Sequence, residues 1–243
     1  MLMNGLKIIV ESCVTDVLSI IFAVIVGSLF ARVRKFQFVA WLVIYVIADD
    51  IVGLIPIVFH WNVGQWNWIG QIASLLLGLS IALRFFRRDE TGLRLPRTLH
   101  EWWWTVGGIV VALLIAVGPA LVGSGTHPST ETFAYEATLP GPVEELVFRG
   151  IGMALLLKAF STGESDRRAE WIAVAVTAVW FTTGHVLHLD NGQFHVIWAR
   201  IFDVFPMGTL YAIVRLKSRS LLGCILAHNA ANTLVETIAA FRF

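Results

Sequence analysis

Trp102–Val122 reads WWWTVGGIVVALLIAVGPALV, twenty-one residues without a charged side chain. A helix crossing the hydrocarbon core of a bilayer needs about 20 predominantly apolar residues. This stretch has that length, and it opens on tryptophans of the kind that settle at a membrane interface. Seven more stretches share its character: Ile8–Ala31, Phe38–Phe59, Trp66–Phe86, Pro140–Phe160, Glu170–Leu187, Val196–Val214 and Ser220–Ala240. The expected fold is therefore an all-α polytopic bundle of about eight transmembrane helices, with residues 1–243 forming a single integral membrane domain. Asp16 interrupts the first stretch. Glu11 and Asp16 also break the layered charged, apolar and small-residue order of a cleavable leader, so the stretch reads as a retained span. No repeat or low-complexity tract separates the spans, and the longest connection is Gly123–Leu139.

Composition supports the same class. Charged residues make up 14% of the chain and hydrophobic residues 57%, whereas soluble domains carry about 25% charged residues. Mean hydropathy is +0.74. A net charge of +1 offers no electrostatic attraction for nucleic acid, and the apolar stretches make membrane lipid an expected partner. Cys13 and Cys224 lie in apolar runs without metal-site spacing, which argues against thiol chemistry and a disulfide framework.

The basic residues fall on alternate connections. Arg32, Arg34 and Lys35 follow the first span, and Arg84, Arg87, Arg88, Arg94 and Arg97 the third. Lys158, Arg167 and Arg168 follow the fifth, and Arg215, Lys217 and Arg219 the seventh. These are fourteen of the 18 basic residues, against Lys7 and Arg242 on the other side. Cytoplasmic connections retain Lys and Arg, so both termini are expected outside the cytoplasm. Trp61, Trp66, Trp68 and Trp102–Trp104 fit interfacial belts.

A charge inside a membrane costs about 2.5–3.5 kcal/mol on insertion scales, so each one calls for a partner or a function. Glu144, Glu145 and Arg149 open the fifth span. In an α-helix, residues four apart lie about 40° apart around the axis and residues five apart roughly 140°. Arg149 is therefore expected to pair with Glu145, leaving Glu144 to a histidine, a water or a metal. Taken alone, the two glutamates suit a structural ion pair and a helix-start carboxylate equally well. His185 and His188 end the sixth span, and His228, Asn229 and Asn232 lie in the eighth. A lone histidine on an apolar face is more often a satisfied core residue than a ligand, and one His–Asn pair can be interhelical glue. Span polarity, however, brings all three groups to similar depth. A carboxylate, two imidazoles and an amide there would supply a general base and donors for a peptide carbonyl.

These residues resemble a known family. Glu144-Glu145-x-x-x-Arg149, Phe181-x-x-x-His185 and His228-x-x-x-Asn232 match, in order and on separate spans, the three motifs of the CPBP family. That family comprises the CAAX proteases and bacteriocin-processing enzymes, also called Abi, which are intramembrane endopeptidases. Phe148-Arg149-Gly150, Gly208-x-Leu210-Tyr211, Ser220-Leu221 and Leu226-Ala227-His228 agree as flanks. The resemblance covers roughly Pro140–Asn232. It implies an eight-helix bundle that cuts peptide bonds with an activated water. Glu144 and His185 are the implied activators, His228 and Asn232 the implied oxyanion donors, and Glu145 and Arg149 the supporting pair. Glu144, His185 and His228 could alternatively ligate zinc with an open position; metal-dependent and metal-free schemes stand level.

The charge distribution places this cavity towards the non-cytoplasmic side, whereas eukaryotic CAAX proteases act from the cytosol. A bacterial or archaeal plasma membrane and a peptide-maturation or immunity role suit that orientation better. Other protease classes fit worse. His100-Glu101 leads into Trp102-Trp103-Trp104 rather than HExxH, Gly123-Ser124-Gly125 lies in a connection, and Asp49-Asp50 lacks a GxGD partner. Asp49 and Asp50 read as partners for Arg200 or as a wall of a hydrated cavity, and Arg200 and Asp203 read as neutralising each other. Glu11, Asp16 and Glu236 find no role. The alternative function is a non-catalytic membrane immunity or scaffold protein. A transporter is disfavoured by the absence of paired half-repeats.

Overall fold

A computed structural model of the protein describes residues 2–61, 63–122, 127–163 and 166–241. Gly123-Ser124-Gly125 and Arg242 lie outside the described residues. The long helices are α1 (Leu2–Ser28), α2 (Phe36–Val58), α3 (Trp68–Phe85), α5 (Leu99–Val122), α9 (Arg167–Val186), α10 (Ile201–Ser218) and α11 (Leu222–Ala240). Two short helices, α4 (Arg88–Thr91) and α6 (Thr130–Glu136), sit in connections. The predicted fifth span forms as α7 (Pro140–Glu145), a π-helical stretch (Leu146–Gly152) and α8 (Met153–Phe160). The fold is thus all-α apart from one small hairpin.

Among the described residues, four helices are long and apolar enough to cross a membrane: α1, α2, α3 and α5. The helices from α9 to α11 carry His185, Asp203, His228, Asn232 and Glu236, which lower their apolarity. The outward faces are greasy, with Phe22, Trp41, Ile44, Leu76 and Leu114 each more than half exposed. Such a surface fits contact with lipid rather than water.

The segment 140–160 lies at the centre. Every residue from Glu145 to Leu156 is buried, and Trp180, Ile20 and Phe160 pack in the same core. Local signals set the helix starts. Pro140 occupies a first-turn position where its missing N–H is not needed. The Asp166 carboxylate caps α9 by accepting from the backbone N–H of Arg168 and Ala169. Asn67 caps α3 through the Gly70 N–H, and its amide also donates to the Gly53 carbonyl of α2 at 2.7 Å.

The four basic connections meet at one end of the bundle. Arg34 and Lys35 N–H donate to the Ala159 carbonyl at 2.8 and 3.1 Å, and the Leu221 N–H to that of Gly92 at 2.9 Å. Lys158 pairs with Glu90 at 2.9 Å. Arg215 donates to the Glu90 carbonyl, and Arg94 is clamped on Glu101 at 2.9 Å. At the opposite end, the start of α1 touches the α9–α10 connection, and α6 touches the α2–α3 connection.

That α9–α10 connection departs from expectation. The sixth and seventh spans were bounded at Leu187 and Val196, but α9 ends at Val186 and α10 begins at Ile201. Between them β1 (Leu187–Asp190) and β2 (Gln193–Val196) pair antiparallel. Asn191 (φ 52°) and Gly192 (φ 75°) make the turn. An Asn-Gly pair suits a two-residue hairpin turn because both positions need positive φ. The hairpin leans on α1: Lys7 donates to Asn191 Oδ1 at 2.6 Å, and the Gly192 N–H donates to Glu11 Oε1 at 2.9 Å. Glu11, without a role in the sequence, thereby gains one. Arg200, placed within a span by sequence, instead ends a 3₁₀ turn at Trp198–Arg200.

Candidate active site

Glu144 enters from the last turn of α7, His185 from the last turn of α9, and His228 and Asn232 from the middle of α11. Together with Glu136, Glu236, Tyr211 and Phe181 they line one cavity of about 420 Å³. His185 Nε2 lies 3.4 Å and His228 Nε2 4.0 Å from the same oxygen, Glu144 Oε2. That oxygen has no hydrogen-bond partner among the described residues.

Both rings are fixed from behind. His185 Nδ1 lies 2.7 Å from the Phe181 carbonyl. A carbonyl only accepts, so Nδ1 carries a hydrogen and Nε2 is turned towards Glu144. The Phe181 ring packs on His185 with centroids 4.2 Å apart. The Phe-x-x-x-His spacing therefore acts through both the carbonyl and the ring of Phe181. His228 Nδ1 donates to Glu145 Oε1 at 2.9 Å, and Tyr211 stacks on its other side at 5.2 Å and 15°. Glu145 Oε1 also accepts from Arg149 Nη1 at 3.1 Å, and both side chains are fully buried. Arg149 also donates from Nη2 to the Gly208 carbonyl at 2.9 Å and lies 4.3 Å from the Phe181 ring centroid.

Arg149 bonds Glu145, four residues back, as helix geometry suggests. However, Arg149 sits in the π-helical stretch, so the simple α-helical angles do not hold along this segment. π turns often mark functional positions. Here the wider turn coincides with a charge held at the centre of the bundle.

Asn232 takes a partner that the sequence did not reveal. Its Nδ2 donates to Glu136 Oε2 at 2.8 Å, a residue on α6 rather than on a predicted span. Asn229 is equally occupied. It accepts from the Gly141 N–H at 2.7 Å and donates to the Ala137 and Thr138 carbonyls, so α11 holds the start of the helix that carries Glu144. Gly141 is required there, because a Cβ would lie 2.7 Å from the Ile225 carbonyl oxygen and 2.5 Å from Asn229 Oδ1. No interhelical partner of Glu136 or Asn229 is visible from spacing along the chain.

Behind Glu144 lies a second polar cavity of about 270 Å³, lined by Asp16 from α1 and Asp49 and Asp50 from α2. Ser74 donates to Asp49 at 2.5 Å and Ser12 to Asp50 at 3.2 Å. Of the two roles read for Asp49 and Asp50, the partnership with Arg200 fails, since Arg200 lines the front cavity. The cavity-wall reading matches. Arg200 and Asp203 form no ion pair within 4 Å among the described residues. Each lies at the cavity lining, and Asp203 Oδ1 instead accepts from the Val204 N–H. His188 and His195 face each other in the hairpin register, away from the site.

Among the described residues, no group of three His, Cys, Asp or Glu is arranged to hold a metal ion. The site is thus a glutamate–histidine centre in a helical bundle with membrane-spanning helices. Residues 128–234 match the family model described as type II CAAX prenyl endopeptidase Rce1-like. That model is of the CPBP family, a family of proteases, so the chain is similar to those proteases over that stretch, and all three sequence motifs lie within the matched residues. No curated protein and no solved structure matches the chain.

Proposed function

We propose that the protein is an eight-span intramembrane endopeptidase, folded as one membrane domain, in which Glu144 is the general base. The observation that carries this reading is the convergence of His185 Nε2 and His228 Nε2 on Glu144 Oε2 at the wall of a cavity of about 420 Å³. A water bound between Glu144 and His185 loses its proton to the carboxylate and attacks the scissile carbonyl carbon. His228, protonated on both nitrogens, donates Nε2–H to the resulting oxyanion, and Asn232 offers an amide hydrogen. Glu145 holds Nδ1 of His228 and so keeps Nε2 aimed at the cavity. Collapse of the tetrahedral adduct breaks the C–N bond, and the Glu144 proton passes to the leaving amine. No step is routed through a metal, since the donor set does not form a metal site among the described residues.

Collection of the basic connections at the far end supports a cavity that opens on the non-cytoplasmic half, with both termini on that side. An apolar groove of about 550 Å³, lined by Ile21, Phe22, Val179, Val186 and Phe205 among others, runs along the outer face of α9, the helix that carries His185. A lipid-modified or membrane-embedded substrate would find an apolar berth there.

The test is cleavage in liposomes of a farnesylated CAAX peptide, the same peptide without the farnesyl group, and a library of apolar peptides. Cutting by the wild type and not by Glu144→Ala, His185→Ala or His228→Ala is expected. Activity unchanged in all three variants would exclude the mechanism, and an equal biological effect of all four proteins would favour a non-catalytic immunity or scaffold role. Loss of activity with a chelator, restored by zinc, would overturn the metal-free step. Accessibility of tags at the two termini checks the orientation, and cytoplasmic termini would reverse it.

A further inference from the structure

We propose that Glu136 is a positioning residue for this site, fixing which way the Asn232 side-chain amide faces. The inference rests on the peptidase reading and extends it to a residue outside the three motifs. An asparagine amide has one accepting and one donating end, and turning it over exchanges the two. Only the donating end can serve an oxyanion. Glu136 Oε2 sits 2.8 Å from Asn232 Nδ2. An ionised carboxylate accepts only, so it selects the orientation with NH₂ towards it and penalises the reverse, which would oppose two oxygens. One amide hydrogen is then spent on Glu136, and the second remains for the cavity that both residues line with Glu144 and His228.

A positioning group must itself be held, and α6 is held from two sides. Ser129 caps it by accepting from the Thr132 N–H. Glu131 Oε1 accepts from the Gln65 N–H at 2.8 Å and from Trp68 Nε1 at 3.0 Å. Trp66 stacks on Tyr135 with centroids 4.6 Å apart and donates from its indole to Thr132. From the opposite side, Asn229 grips the carbonyls that follow Glu136. A seven-residue helix in a connection would otherwise be a poor platform. Here the α2–α3 connection and α11 clamp it, so Glu136 reaches Asn232 from a fixed base.

The alternative is that the Glu136–Asn232 bond merely ties α6 to α11. A double-mutant cycle tests whether Glu136 acts through Asn232, and the amide resonance of Asn232 separates orientation from a mere tie. Asn232→Ala should lower kcat by about 10²–10³-fold, as loss of one oxyanion donor does. Glu136→Gln keeps size and an accepting oxygen but tolerates either amide orientation, so it should lower kcat by about tenfold, a fraction of that loss, with KM changed by less than about twofold. Glu136→Gln in the Asn232→Ala background should cost nothing further. An equal loss in both backgrounds, or no loss in either, overturns the proposal. Substrate-free liposomes give a second readout, the ¹⁵N side-chain resonance of Asn232, assigned by its disappearance in Asn232→Ala. It should be a single sharp signal in the wild type and split or broadened in Glu136→Gln; identical signals overturn the proposal. If the wild type cuts none of the probe peptides, the peptidase reading fails, while the resonance still reports whether Glu136 orients Asn232.

Discussion

The two cavities that share Glu144 differ in how their acids are partnered. On the front wall, Glu144 faces two imidazoles, each anchored by its other nitrogen to a carbonyl or a carboxylate. On the back wall, Asp49 accepts from the Ser74 hydroxyl and Asp50 from that of Ser12, with the Asp16 carboxyl beside them. Acids occur on both sides, so acidity alone does not mark the chemistry. What distinguishes the front wall is a carboxylate beside imidazoles whose orientation is fixed by other groups, the kind of arrangement that preorganised electrostatic stabilisation requires.

Disabling the front wall should give the largest effect. Glu144→Gln should lower kcat by about 10²–10⁴-fold, the range for a lost general base, with the helical circular dichroism unchanged. Asp49→Asn and Asp50→Asn should each stay well under a hundredfold on the same assay, because neither meets an imidazole among the described residues. If a back-wall variant matched Glu144→Gln, the distinction between the walls would collapse. Next comes the support of the front wall. Arg149→Met leaves Glu145 buried without its cation and should destabilise the protein by about 3–5 kcal/mol, read as a lower unfolding temperature in detergent. Gly141→Ala presses α7 against the Ile225 carbonyl oxygen of α11 and should cost about 1–3 kcal/mol, with a fall in activity as Glu144 shifts from His228.

The smallest effect lies at the basic end, far from both cavities. Asp166 accepts from the backbone N–H of Thr162, Ala169 and Arg168, which hold its carboxyl down at about 2 against an ordinary 3.8. A carboxyl lowered on folding adds stability that is complete above 3.8 and lost as pH falls towards 2. Asp166→Ala should therefore lower the unfolding temperature slightly at neutral pH and not at all near pH 2. A difference that persisted at pH 2 would mean that the cap is not electrostatic.

Much of this architecture was legible along the chain because it depends on local pattern. Apolar stretches of span length located the long helices to within a few residues. Basic residues on alternate connections anticipated their gathering at one end. The four-residue spacing of Glu145 and Arg149 anticipated their bond. Asn191-Gly192 carried a hairpin signal as well, but apolar content on both sides drew the span boundaries across it. Arg200 was misplaced for the same reason: an apolar window cannot register that the chain has already left its helix.

By itself, the sequence determined a helical membrane bundle, the order of its motifs and a candidate set in Glu144, His185, His228 and Asn232. Only the tertiary structure decided how that set is held. The His228–Glu145 bond joins residues 83 positions apart, and Asn232–Glu136 joins residues 96 apart. Asp16 reaches the wall formed by Asp49 and Asp50 only because α1 packs beside α2. Periodicity reports which residues share a face of one helix. It holds no record of what the next helix brings against that face, because that depends on how whole helices pack.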